Sequence, residues 1–141
     1  MADLAIAVGN VGIASAAVQT SKDVFGATIA RGIAVYRDAA ASEKLKAGDA
    51  NTAATADVVG ITLTGGVLDG ICMIVTKGVM EFGATTPAMV AGEMYYLSPT
   101  GGGLLCPWAD VLTNDVVVEM GRALTATTFD VDINNTGVTK A

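Results

Sequence analysis

Asp130 and Asp132 have the spacing most suggestive of chemistry in this chain. They alternate with apolar neighbours in Phe129-Asp130-Val131-Asp132-Ile133, so in an extended strand both carboxylates leave one face, where oxygens of Asn134 or Asn135 could complete a calcium site. A solvated strand face accounts for the same pattern, and no metal ligands are assigned. The chain has no histidine, which removes the usual general base, the Ser-His and Cys-His nucleophile pairs and the imidazole ligands of zinc. Gly101-Gly102-Gly103 lacks the Gly-Lys-Ser/Thr of a phosphate-binding loop, being followed by Leu104-Leu105-Cys106-Pro107, and reads as a hairpin turn. Cys72 and Cys106 are too few for a disulfide framework and read as buried free thiols, with a bridge between them left open. The expectation is a protein that is not an enzyme and carries no cofactor.

Two aromatic positions suit contact rather than catalysis. Trp108, the only tryptophan, follows Cys106-Pro107 and serves either as a core plug or as an anchor between subunits, where Trp is enriched. Tyr95 and Tyr96 point to opposite faces of one strand, so one ring is buried and the other is free for an interface.

The elements that position these residues are short strands. Ile33 to Tyr36, Val58 to Leu63, Ile71 to Thr76, Met94 to Leu97, Val116 to Met120 and Phe129 to Ile133 are β-branched or aromatic runs bounded by Gly, Asp or Thr, and dense turn signals separate them. Ala39 to Ala47 resembles a helix, but Gly48-Asp49 stops it within about two turns. That stretch is expected to be a loop or one helical turn, with Ala50 to Ala56 exposed. Composition agrees with a sheet protein: 17 glycines, 24 alanines among the apolar residues and only 7 aromatic residues favour tight turns around a core of small side chains. At 141 residues the chain is one domain by length, able to bury roughly 70% of the surface exposed by its unfolded form.

A single β pattern occurs twice. Gly26-Ala27-Thr28, Gly32, Tyr36, Asp57-Val58-Val59-Gly60, Leu63-Thr64, Ile74 and Gly78-Val79 return in order as Gly83-Ala84-Thr85, Gly92, Tyr96, Asp115-Val116-Val117, Gly121, Leu124-Thr125, Ile133 and Gly137-Val138, offset by 57 to 61 positions. Two strand units, each too small to bury its own apolar face, would close into one core. Tyr36 is then expected to match whichever tyrosine of the later pair faces inward. The fold class is all-β: a single-domain β-barrel or β-sandwich over 25–141, preceded by an arm or extra strand over 1–24. The apolar stretch from Leu4 to Val18 has no preceding Lys or Arg and is broken by Gly9-Asn10 and Gly12; it reads as part of the mature protein rather than a secretion signal or membrane span.

Charge narrows the partners. Net charge is −6. Residues 1–46 hold 5 basic and 4 acidic side chains, residues 47–141 hold 3 and 10, and no basic stripe with interleaved aromatics exists, so neither nucleic acid nor membrane is expected as a partner.

From about Phe25 to Val138 the chain resembles the small capsid decoration, or cement, proteins of tailed bacteriophages. The residues that carry this are Gly26-Ala27-Thr28-Ile29, Gly32-Ile33-Ala34-Val35-Tyr36, Ala50-Asn51-Thr52-Ala53-Ala54, Val58-Val59-Gly60-Ile61, Tyr96-Leu97-Ser98-Pro99-Thr100-Gly101-Gly102, and Val131-Asp132-Ile133 with Thr136-Gly137-Val138. The resemblance implies a structural virion protein on the outer capsid surface, assembled in the host cytoplasm. Such a protein bridges major capsid protein subunits and commonly acts as a homotrimer. Similar modules occur in phage fibres and spikes, so a receptor- or glycan-binding module is the alternative. The candidate interface residues are Trp108, Tyr95 and, in the less acidic N-terminal region, Leu4, Ile6 and Val8. Removing residues 1–20 is expected to leave the β fold and weaken attachment.

Overall fold

The computed structural model describes residues 3–141, with the side chains of 15–22 excepted. The described chain is an all-β domain. Its strands are β1 (Ala5–Ile6), β2 (Gly12–Val24), β3 (Ala34–Asp38), β4 (Lys44–Ala47), β5 (Val58–Thr62), β6 (Ile71–Glu81), β7 (Thr85–Thr86), β8 (Met94–Leu97), β9 (Leu105–Cys106), β10 (Val116–Ala123) and β11 (Thr128–Thr139). β1 pairs with β7. The other nine form one antiparallel sheet in the order β4-β3-β5-β6-β11-β10-β8-β9, with β2 also on β6, curled into a half-barrel. β5 and β11 take successive stretches of one edge of β6, while β2 runs along the opposite edge.

That sheet order is a palindrome of two four-strand units, and the hydrogen-bond registers repeat with it. Ala34, Val35 and Tyr36 face Ile61, Gly60 and Val58; sixty residues on, Met94, Tyr95 and Tyr96 face Arg122, Gly121 and Glu119. The irregularity in the first ladder, which skips Val59, recurs in the second at Met120. Tyr36 opposite Lys46 becomes Tyr96 opposite Cys106, and Arg37 opposite Leu45 becomes Leu97 opposite Leu105. The turn bonds repeat as well: Gly32 N–H donates to Thr62 O as Gly92 N–H does to Ala123 O. Phe25 and Phe82, both fully buried, extend the Gly-Ala-Thr match by one residue at the same offset. Two sequence pairings are corrected: the ladders make Ile74 equivalent to Phe129, not Ile133, and the same register does not bring Gly78-Val79 into equivalence with Gly137-Val138. Met73 N–H reaches back nine residues to Thr64 Oγ1, whereas Thr128 N–H reaches back three to Thr125 Oγ1. The first unit therefore carries six extra residues in its β5–β6 connection.

Period two puts neighbours on opposite faces, and both faces are covered in the first unit. Ala34 and Val75 belong to the main core with Phe82, Phe129, Met80 and Leu97, while Val35 and Ile74 belong to a second cluster with Phe25, Leu45 and Cys72. Phe82 and Phe129 stack with ring centroids 5.4 Å apart, and the Tyr95 ring meets Phe129 edge-on at 6.2 Å.

Two expectations fail locally. Ala39 to Ala56 is a 3-10 turn (Ala39–Ala41), strand β4 and a one-turn helix (Ala53–Ala56). The strand forms because Lys44-Leu45-Lys46 alternates: Leu45 is fully buried, and the lysines pair outside with Asp69 at 2.5 Å and Asp38 at 3.0 Å. Within Ala50 to Ala56, residues 51–54 are exposed as expected, but Ala50 and Ala56 are buried, because this segment is a backbone bridge between the units: Ala50 N–H donates to Ser98 O and its carbonyl accepts from Val116 N–H. Residues 3–24 are tied to the body of the fold. Leu4 and Val11 are in the main core, and Leu4 N–H donates to Leu105 O, so deleting 1–20 removes packing as well as any attachment surface.

Candidate functional site

Of the five candidate interface residues, two are core. Leu4 is 1% exposed and Tyr95 3%; the Tyr95 hydroxyl accepts the Val90 N–H at 3.0 Å. Both side chains are enclosed by the protein's own sheet, so the interface assignment is corrected for them. Tyr96 is the half-buried partner of the pair, and Tyr36, its duplicate, is half-buried too. Ile6 is half-buried, Val8 exposed, and Trp108 46% exposed.

Trp108 opens a 3-10 turn (Trp108–Asp110) with its ring tilted against Tyr96 at 5.2 Å. Lys140 Nζ lies 4.5 Å from the indole centroid and donates to the carbonyls of Trp108 and Val111. That cation–π contact and its two hydrogen bonds fix one face of the ring. The indole borders a 460 Å³ groove lined by Val117, Thr136, Val138 and Lys140.

The second apolar surface joins Ile6 and Val8 to residues that the sequence reading passed over. Two adjoining depressions, of 280 and 500 Å³, share Val8, Ala30 and Arg31. One is also lined by Ile6, Ile33 and Leu104, the other by Thr28, Ile29 and the stretch Thr64–Val67. The floor, Thr28 to Ile33, belongs to the first repeat unit, while Ile6 and Val8 come from the N-terminal segment and Gly65 to Val67 from the extended β5–β6 connection, parts the repeat does not share. The extension is fixed in place. Ile29 and Gly66 exchange both backbone hydrogen bonds at 2.9 Å, Phe25 N–H donates to Gly70 O, and Asp69 N–H donates to Phe25 O. Gly66 packs so closely on the Phe25 ring that a Cβ there would sit 2.6 Å from it. On this braced loop Val67 is 63% exposed, with Leu68 and, just beyond the loop, Ile71 also outside. Large apolar side chains held in water on a fixed scaffold mark an interaction surface. The sequence signal was an apolar pair, Val67-Leu68, between two turn dipeptides, Gly65-Gly66 and Asp69-Gly70.

Most of the polar groups that the sequence singled out are engaged with other side chains or with the backbone. Asp130 and Asp132 line a 380 Å³ depression with Glu119, Arg122 and Asn134. There Asn134 Nδ2 donates to Glu119 Oε1, Arg122 donates to Gly92 O, and Lys77 stands 4.0 Å from Asp132. No three His, Cys, Asp or Glu residues among those described are placed to hold a metal ion. Gly101–Gly103 form the turn between β8 and β9, where Gly103 exchanges backbone bonds with Ala34 and Gly48. Cys72 and Cys106 are both free and buried. Burial pushes their thiols up to about 11 and about 12, and the carboxylates of Asp3 and Asp110 add to the shift at Cys106. These thiols are inert packing groups. No helix among the described residues is long and apolar enough to cross a membrane. No protein family, characterised protein or solved structure matches this chain.

Proposed function

We propose that this protein binds the outer surface of an assembled phage capsid and stabilises the shell by bridging neighbouring subunits, with the major capsid protein and copies of itself, as a homotrimer, for partners. The observation that carries the reading is the apolar surface that joins Val8 of the N-terminal segment to Val67 of the braced β5–β6 loop. The resemblance of residues 25–138 to decoration proteins supports it. Such a role needs no active site. Many weak contacts act together when identical copies meet a repetitive lattice, and binding to the assembled state alone raises shell stability by linkage.

Purified protein mixed with undecorated, expanded heads is expected to give saturable, symmetric density in electron micrographs, with sedimentation of the free protein reporting a trimer. Absence of head binding, together with adhesion to host cells, refutes this reading in favour of a fibre or spike module. The half-exposed Trp108 and its groove are the feature such a receptor- or glycan-binding module would use, because an aromatic face stacks on sugar rings. In that case Trp108→Ala abolishes cell adhesion.

A further inference from the structure

Among the described residues Arg31 is the only charged one lining the larger depression, and it also lines the smaller one. It is exposed, and among the described residues no hydrogen bond or ion pair engages its guanidinium. The one carboxylate lining the smaller depression, Asp3, is occupied, accepting from Thr100 Oγ1 at 2.6 Å. That hydrogen bond does not neutralise Asp3, but Asp3 lines only the smaller depression, so the larger one is a cationic point between apolar walls on a protein of net charge −6.

We infer that this groove docks a protein segment that carries a carboxylate between apolar side chains, the carboxylate forking onto Arg31 and its neighbours lying on Ile6 and Val8 to one side and Val67 to the other. The inference rests on the capsid reading for its source, a surface segment of the capsid subunit, and adds the chemistry that selects it. A guanidinium presents paired N–H donors that match a carboxylate. Because residues 47–141 hold 10 acidic side chains against 3 basic ones, an approaching carboxylate is repelled over much of the remaining surface. The single cation then fixes register more than it adds affinity. The Val67 wall costs little ordering on binding, since the backbone bonds between Ile29 and Gly66 already hold it.

The test compares wild type, Arg31→Glu, Arg31→Lys and the double variant Val8→Ser/Val67→Ser for co-sedimentation with expanded heads, each first checked for an unchanged unfolding midpoint. Arg31→Glu is expected to weaken binding at least tenfold, Arg31→Lys less, and the serine pair at least tenfold. Heads that saturate equally with wild type and Arg31→Glu overturn the inference while leaving the capsid reading intact. A second measurement does not depend on heads: the Arg31 Nε–H resonance is followed while acetyl-Val-Asp-Val-amide, or its Asn counterpart, is added to high concentration. A shift confined to the Asp peptide supports the groove chemistry even where wild type fails to bind heads, an outcome that sinks only the capsid reading. Equal responses to the two peptides overturn the inference.

Discussion

Replacing the two duplicated bulge glycines tests whether the repeat is a repeat of physics as well as of sequence. Gly60 and Gly121 occupy equivalent register positions, and a Cβ on either meets the carbonyl oxygen of equivalent residues on the next strand: Val75 O at 2.8 Å from Gly60 and Asp130 O at 2.0 Å from Gly121. The sites differ in backbone. Gly121 has φ +144°, a region that L side chains rarely enter, whereas Gly60 has an ordinary φ. Gly60→Ala therefore carries an overpacking cost alone, about 1–3 kcal/mol. Gly121→Ala adds backbone strain of about 1–3 kcal/mol, for a total near 2–6 kcal/mol. Gly137 is the control: its φ is +69° but nothing lies within 4 Å of its Cβ position, so Gly137→Ala costs about 1–2 kcal/mol. Urea unfolding followed by far-ultraviolet circular dichroism measures all three, with a midpoint shift at constant slope marking lost stability. At this chain length each kcal/mol lowers Tm by roughly 2–4 °C. A Gly121→Ala protein as stable as wild type, or less affected than Gly137→Ala, refutes the reasoning.

Three further outcomes follow from burial. Cys72 and Cys106 should resist alkylation in the folded protein at pH 8 and react at once in denaturant, because a thiol with a pKa of about 11 is ionised to only about one part in a thousand there; equal rates in both states would contradict it. The same raised values fix the sign of a pH effect. Above about pH 9 the unfolded thiols lose protons that the folded ones keep, so stability falls as pH rises toward 11 or 12, by up to about 1.4 kcal/mol per unit for each thiol, and Cys72→Ala/Cys106→Ala should flatten that slope. Deleting residues 2–11 removes Leu4 and Val11 from the core and should cost several kcal/mol, read as a lower urea midpoint; an unchanged midpoint would show that the segment does not pack as described.

Most of the fold was legible because its signals are local. Alternation in Phe129 to Ile133 and the bounded β-branched runs identify strands without reference to neighbours, and the Gly, Tyr and Asp-Val-Val matches reflect bulges and turns that recur in both ladders. What stayed hidden depends on tertiary context. Lys44 to Ala47 has helical propensity on paper, yet Leu45 is pulled into the second cluster and β3 supplies the ladder, so burial overrides propensity. A large apolar group such as Leu4, or one ring of the Tyr95-Tyr96 pair, serves a core and an interface equally well; only the sheet's curl decides. Arg31 was missed because a single exposed arginine has no sequence signature. Its meaning comes from Val8 and Val67, 23 residues before and 36 after it in the chain.

The matching ladders also pose a choice during folding. A newly collapsed chain holds two sets of strands whose registers are interchangeable, so β3 meets an acceptable edge on β10 as well as on β5, and a neighbouring chain offers the same edges again. Such degeneracy invites exchange of units between molecules. What separates right from wrong pairings is the set of differences between the copies: the six-residue extension, Arg37 and Lys46 where the second unit has Leu97 and Cys106, and the Ala50 bridge seen in one unit among the described residues. In that sense the departures from symmetry guide assembly of the monomer, while the symmetric parts supply its strength.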